Sequence, residues 1–222
     1  YLYMTLNYQK YFVIGFNKTG TATCDELFKK NGLKSYHAGI KWKTEKWQDQ
    51  LEKNDCFADI AWTMNDIENV NEKYPNSIFI LNCRNIDKWL ISRFKHGIRG
   101  FKRTGEHAYY PYTYEKIKKW TYYRDSFHIN ILDFFLSSPD KLIIVNIEKP
   151  KWIEYLCSQL QFKNYDIKSK NINKTDINNK QHNEIICLVN ETLNDLNYDK
   201  DTVLISDYRL LEKYINIYKN YI

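Results

Sequence analysis

Residues 11–23, YFVIGFNKTGTAT, carry the pattern that decides the fold prediction. An apolar run typical of a strand passes through a short polar loop with two glycines into a helix pattern that begins at Thr21. Backbone amides at a helix N-terminus lack partners and carry a partial positive charge, and Gly20 lets a ligand approach the backbone closely. The stretch therefore predicts a phosphate-binding loop between a buried strand and a helix.

Two more apolar runs, 77–82 (SIFILN) and 141–146 (KLIIVN), are too short for helices and predict buried strands. Segments with helical periodicity lie between and after the strands, at residues 21–31, 44–53, 64–74, 86–96, 113–136, 150–160, 182–196 and 207–221. Gly97 is expected to end the fourth of these helices. Apolar strands that alternate with helices predict an α/β fold of three layers, with a central, mostly parallel sheet and helices on both faces.

Length and composition exclude several classes of protein. A chain of 222 residues favours a single domain, 1–222, and 43% hydrophobic residues with only 7 Gly and 4 Pro exclude collagen-like and disordered chains. The net charge of +6 includes no long basic block, so no nucleic-acid partner is expected. No membrane span or leader is visible, although the chain begins at Tyr1 rather than Met, which leaves a removed leader or anchor open.

The position of the loop lysine separates two kinds of phosphate chemistry. A Walker A loop reads G-x-x-x-x-G-K-[ST], with its lysine after the second glycine. Here Lys18 precedes Gly20, and no hydroxyl follows a Gly-Lys pair to hold magnesium. This order counts against a P-loop nucleotide or nucleoside phosphotransferase, which stays the alternative enzyme class.

The loop resembles that of the sulfotransferases that use 3′-phosphoadenosine 5′-phosphosulfate (PAPS), in which a strand is followed by K-[ST]-G-T-[TA]-[ST] and a helix. The residues that match are Lys18, Thr19, Gly20, Thr21, Ala22 and Thr23. In this family the strand that binds the 3′-phosphate ends in an arginine, with a serine eight positions later. Arg84 and Ser92 stand at that spacing, and arginine offers a planar fork of donors that suits a phosphate.

The resemblance covers about residues 11–162 and implies the family's P-loop-like fold, while residues 163–222 are expected to form a C-terminal helical extension. It implies an enzyme that transfers the sulfuryl group of PAPS to a hydroxyl or amine without a metal. Lys18 would stabilise the leaving phosphate while loop amides and threonine hydroxyls hold the 5′-phosphosulfate. Candidates for a further clamp on the 3′-phosphate are Lys168, Lys170 and Lys174.

The catalytic base is expected to be Asp59, because it follows a short apolar stretch that predicts a strand ending near the ligand. His37 and His128 stay open as alternatives. Residues expected to contact the acceptor are His37, Glu106, His107 and His128. A small molecule, a carbohydrate and a protein tyrosine are all open as acceptors, and a module that binds PAPS without turnover is the non-enzymatic alternative.

Residues 98–111, IRGFKRTGEHAYYP, break the helical periodicity and predict a mobile loop or lid over the acceptor. Aromatic residues expected to line the acceptor pocket are Phe101, Tyr109, Tyr110 and Tyr112. The alternative is a plain connector.

A cytoplasmic location is favoured by two patterns. One of three N-x-[ST] sequons, at Asn17, lies in the phosphate loop itself, where a glycan would block the site; the others start at Asn173 and Asn190. The five cysteines are widely spaced, with no C-x-x-C pair and no zinc spacing, so neither disulfides nor a metal site are expected. The oligomeric state is not predicted.

Overall fold

The computed structural model describes residues 9–38, 46–166, 177–205, 208–215 and 217–218. These residues form two compact units. The first contains the described residues within Tyr1–Cys83, Asp133–Lys170 and Asn216–Ile222, and the second those within Arg84–Leu132 and Asn171–Ile215. A single domain with a helical extension stays a prediction.

The first unit is built on a five-stranded sheet with the strand order β2-β3-β1-β4-β5, in which every described pair is parallel. The strands are β1 (Tyr11–Val13), β2 (Ser35–His37), β3 (Cys56–Ala58), β4 (Ile78–Cys83) and β5 (Leu142–Asn146). The three strands expected from apolar runs are therefore confirmed. The predicted α/β class with a parallel sheet is confirmed as well.

Seven α-helices are present in the described part of the chain. They are α1 (Thr21–Lys30), α2 (Met64–Lys73), α3 (Ile86–Thr104), α4 (Tyr114–Phe134), α5 (Trp152–Leu160), α6 (Asn179–Asp195) and α7 (Tyr208–Ile215). Among these helices, none combines the length and the apolar character needed to cross a membrane.

Side chains of the strands alternate between the two faces of the sheet, so each face needs its own cover. On one face, Val13 and its neighbours form a buried cluster with residues of α1 and α5. On the other face, Phe12 stacks on Phe57 and on Phe79 with ring centroids 5.3 Å apart in both pairs, and Tyr74 at the end of α2 contacts the same ring. The sheet is thus the middle layer of the first unit.

The strand order fixes where a ligand would bind. The chain leaves β1 towards β2 on one side, whereas it leaves β4 towards β5 on the other side. In open α/β sheets, ligands bind outside the carboxyl ends of two strands whose connections diverge in this way. Val13 of β1 pairs with Ile80 of β4, so the loop after β1 starts beside β4 at this position.

Helix α3 of the second unit is longer than predicted. It continues through Gly97 to Thr104 and ends at Gly105, whose φ is 76°. The expectation that Gly97 ends the helix was wrong, because the glycine allows close packing instead: a Cβ there would lie 2.8 Å from the backbone carbonyl carbon of Tyr109. The first half of the expected lid, residues 98–104, is therefore helical.

Other helix boundaries differ for local reasons. The helix expected at 44–53 is a single 3₁₀ turn, Trp47–Gln50, and residues 44 and 45 lie outside the described ranges. Helix α6 begins three residues earlier than expected, because the side chain of Asn178 caps it by accepting a hydrogen bond from the Gln181 amide at 2.8 Å.

Candidate active site

The loop of residues 14–20 joins β1 to α1 through two residues in the left-handed region. Lys18 has a φ of 70° and Gly20 a φ of 90°. Glycine adopts this conformation freely, whereas a lysine there costs on the order of 1 kcal/mol and persists only when the surroundings hold it. Non-glycine residues in such conformations cluster at functional sites.

Asn82, a fully buried residue of β4, holds the loop in place. Its Nδ2 donates to the backbone oxygen of Thr19 at 2.7 Å and to Thr19 Oγ1 at 2.8 Å, and its Oδ1 accepts from the Gly15 amide at 3.0 Å. The Thr19 hydroxyl in turn donates to the Phe16 carbonyl. The sequence interpretation missed Asn82, for which the only signal was an amide in an otherwise apolar strand.

The two glycines of the loop, Gly15 and Gly20, are required for different reasons. A Cβ at Gly15 would lie 2.2 Å from both the backbone oxygen and Oδ1 of Asn82, so only glycine fits there. Gly20 is needed for its positive φ, and a Cβ there would lie 3.3 Å from Cγ2 of Ile147. The loop therefore packs tightly against β4 on one side and near α5 on the other.

Helix α1 starts without a side-chain acceptor for its first amides. Its N-cap, Gly20, has no side chain, and no acidic residue lies in the first turn. Helix α2, by contrast, starts with a capping box in which Thr63 and Asp66 satisfy each other's backbone amides. The first amides of a helix have no intrahelical acceptor, so the start of α1 is electrostatically suited to an anion.

Three predicted site residues meet beside this helix start. Asp59, which follows β3 with a φ of 58°, accepts a hydrogen bond from Thr21 Oγ1 at 3.2 Å through Oδ1. Its Oδ2 lies 3.9 Å from His37 Nε2, at the end of β2. That nitrogen is buried and makes no hydrogen bond to a residue that the structure describes. The meeting follows from the topology, because carboxyl ends of neighbouring parallel strands share one edge of the sheet.

Of the other loop residues, Ala22 and Thr23 lie in the first turn of α1, and Thr23 is buried. Arg84 and Ser92 belong to the second unit, where Ser92 lies half-buried on α3. Their assignment to the 3′-phosphate stays a prediction. The lysines proposed as a further clamp, at 168, 170 and 174, lie outside the described residues.

His128 lies in the interior of the second unit, with its side chain closed off from solvent. Its Nδ1 contacts the Leu204 carbonyl oxygen at 2.7 Å, and burial, aided by the charge of Arg124, lowers its pKa to about 3. The ring is therefore neutral at physiological pH. This placement favours the structural alternative over a substrate-facing role.

Glu106 and His107 follow α3 in the second unit. His107 Nδ1 accepts from the Tyr109 amide at 3.2 Å, and its ring packs where a Cβ on Gly100 would otherwise sit. Glu106 is exposed. Of the aromatic residues expected to line an acceptor pocket, Phe101 and Tyr110 stack with centroids 4.2 Å apart.

Among the residues that the structure describes, no group of three or more His, Cys, Asp or Glu side chains could hold a metal ion. None of the five cysteines forms a disulfide. Comparison with protein-family models and with curated proteins finds no match to this chain.

Proposed function

We propose that the protein is a PAPS-dependent sulfotransferase that transfers a sulfuryl group to a hydroxyl or amine acceptor. One observation carries the proposal: Lys18 stands in a strained loop ahead of a helix that starts on Gly20 without a side-chain cap. The loop lies at the sheet edge where parallel α/β proteins bind ligands. The uncapped amides fit the anionic phosphosulfate of PAPS.

In this proposal Lys18 stabilises the negative charge that develops on the leaving phosphate oxygen as the bond to sulfur breaks. The first amides of α1 hold the 5′-phosphosulfate, and Thr21, whose hydroxyl donates to Asp59, ties the start of the helix to the proposed base. Asn82 positions the loop, because its three hydrogen bonds tie Gly15 and Thr19 to β4. Arg84 is assigned to the 3′-phosphate, with Ser92 as a second donor.

The acceptor's proton passes to the pair formed by Asp59 and His37. His37 is the group that takes up this proton, and its ring stands next to the Asp59 carboxylate. Asp59, 3.9 Å away, then stabilises the imidazolium that forms. The charges of Lys18 and the α1 terminus offset the carboxylate before transfer.

Calorimetric titration with 3′-phosphoadenosine 5′-phosphate (PAP), without magnesium, tests the cofactor assignment. We expect binding that Arg84→Ala weakens at least about tenfold, because a charge-assisted hydrogen bond is worth about 1.4 kcal/mol or more. Lys29→Ala is the matched control, since Lys29 lies on the exposed side of α1 and pairs with Asp25. Binding of magnesium-ATP alone, or equal losses in both variants, would refute the assignment.

Transfer of labelled sulfate from PAPS to a panel of phenols, alcohols and amines tests the enzyme assignment. Lys18→Ala is expected to lower kcat more than it lowers PAP affinity, because its charge acts on the leaving group. His37→Gln should cost more in kcat than Asp59→Asn if His37 accepts the proton. Wild-type protein that binds PAP yet transfers to no acceptor would leave the binding-module alternative.

The hydrogen bond between Thr21 and Asp59 favours one second candidate, a magnesium-dependent phosphotransferase. In P-loop NTPases a loop hydroxyl and an aspartate hold the metal together, and these two side chains lie 3.2 Å apart here. The position of the loop lysine counts against a phosphotransferase, because a Walker A loop has its lysine directly after the second glycine, where this chain has Thr21. Nucleotide binding that requires magnesium and is lost in Asp59→Asn would favour it.

A further inference from the structure

Arg93 of α3 lies within a group of three aromatic rings in the second unit. Its guanidinium carbon is 4.8 Å from the ring centroid of Trp89, 4.4 Å from that of Tyr109 and 4.3 Å from that of Trp120. These distances are typical of cation–π contacts, in which the flat faces of the guanidinium pack on rings. The sequence interpretation did not single out this residue.

The charge of Arg93 has no counter-ion in the described ranges. No carboxylate there forms an ion pair with it, and its Nε is buried without a hydrogen-bond partner. Burial lowers the pKa of Arg93, yet a guanidinium stays charged in proteins. The guanidinium is half-buried and packs on rings rather than on a carboxylate, so an anion would complete its set of partners.

Arg124, the fully buried arginine of the same unit, provides the contrast. It lies 3.5 Å from the Asp125 carboxylate and donates to the carbonyls of Arg84, Thr202 and Val203. Its donors are therefore used by the protein itself. Those of Arg93 make no hydrogen bond to a described residue, and of its nitrogens only Nε is sealed from solvent.

The two terminal nitrogens thus present their N–H groups in the plane of the guanidinium, outside the aromatic rings. This planar fork matches the two oxygens of a carboxylate or a sulfate.

We propose that Arg93 binds a carboxylate or sulfate group of a small acidic molecule, with its guanidinium held in place by the three aromatic rings. This anion site does not depend on the proposed function.

A matched pair of phenols tests this inference: 4-hydroxybenzoate carries a carboxylate where 4-hydroxybenzamide carries a neutral amide. Binding is followed by tryptophan fluorescence, since Trp89 and Trp120 contact Arg93. We expect the wild type to bind the carboxylate at least about tenfold more tightly, as for a charge-assisted hydrogen bond. Arg93→Gln should abolish the preference, Arg93→Lys should keep part of it, and the control Arg99→Gln, exposed on the same helix, should keep it all.

A wild type that binds both phenols equally, or neither, overturns the inference, and so does an equal loss in Arg99→Gln. If Arg93→Gln fails to fold by circular dichroism, the wild-type preference and Arg93→Lys decide. PAP titration of the same preparations separates the two proposals. PAP binding without a carboxylate preference refutes the Arg93 site alone, whereas a carboxylate preference without PAP binding refutes the sulfotransferase and leaves the anion site.

Discussion

At the scale of single residues, Asn82 is the side chain on which the loop geometry depends. Replacing it with leucine removes three hydrogen bonds and leaves the Gly15 amide and the Thr19 carbonyl buried without partners. We expect Asn82→Leu to lower the free energy of unfolding by about 2–3 kcal/mol, measured in urea, because each buried group left unsatisfied costs about 1 kcal/mol or more. PAP affinity should fall as well.

Asn146→Leu is the control for this substitution. Asn146 is the last residue of β5, and within the described chain its side chain accepts one hydrogen bond, from the Glu148 amide at 3.0 Å. It should lower stability less and leave PAP affinity unchanged. A PAP affinity that falls equally in both variants would contradict the role given to Asn82.

Gly20 and Gly32 allow the cost of a backbone conformation to be separated from a role in binding. Their φ angles are 90° and 81°, so alanine at either position should cost about 1–2 kcal/mol of stability. A Cβ at Gly32 meets nothing within 4 Å, whereas one at Gly20 lies next to Ile147 in the phosphate loop. Only Gly20→Ala is therefore expected to weaken PAP binding in calorimetry; equal affinity in the two variants would count against the loop as the binding site.

At the scale of elements, Gly97 in α3 tests whether close packing outweighs helix propensity, because the two effects change the stability of Gly97→Ala in opposite directions. An alanine normally stabilises the middle of a helix by about 1 kcal/mol relative to glycine. At Gly97 the new Cβ would meet the Tyr109 backbone at 2.8 Å, and relief of such overpacking costs about 1–3 kcal/mol. Gly97→Ala should therefore lower the thermal midpoint.

Gly100→Ala is the comparison for Gly97→Ala, since its Cβ meets the ring of His107 rather than backbone. A side chain can rotate away, so we expect a smaller loss of stability there. A Gly97→Ala variant that melts higher than the wild type would show that the contact with residues 107–110 is absent.

The elements also show which parts of the fold could be predicted from the sequence. Strands β1, β4 and β5 and the start of α1 were predictable, because apolar runs and a glycine before a helix are local signals. The role of Gly97 was not, because it depends on a chain segment twelve residues away that packs against it. Asn82 and Arg93 were missed for the same reason: Gly15, and the rings of Tyr109 and Trp120, lie on other segments of the chain, which periodicity cannot reveal.

At the scale of the whole molecule, His128 links stability to pH. The pKa of His128 is about 3 in the folded state, below the ordinary value of 6.5. Between about pH 3 and pH 6.5 the unfolded chain therefore binds a proton at this ring, whereas the folded protein does not. Stability is therefore complete above about pH 6.5 and falls by up to about 1.4 kcal/mol for each unit that the pH drops towards 3.

Urea unfolding of the wild type and of His128→Gln between about pH 7 and pH 5 measures this contribution. We expect His128→Gln to be less stable at neutral pH, because the ring fills a fully buried site next to Leu204, but to lose less stability on acidification. An unchanged slope in His128→Gln would mean that the acid sensitivity of the protein arises from other groups, and that the ring accepts a proton in the folded state.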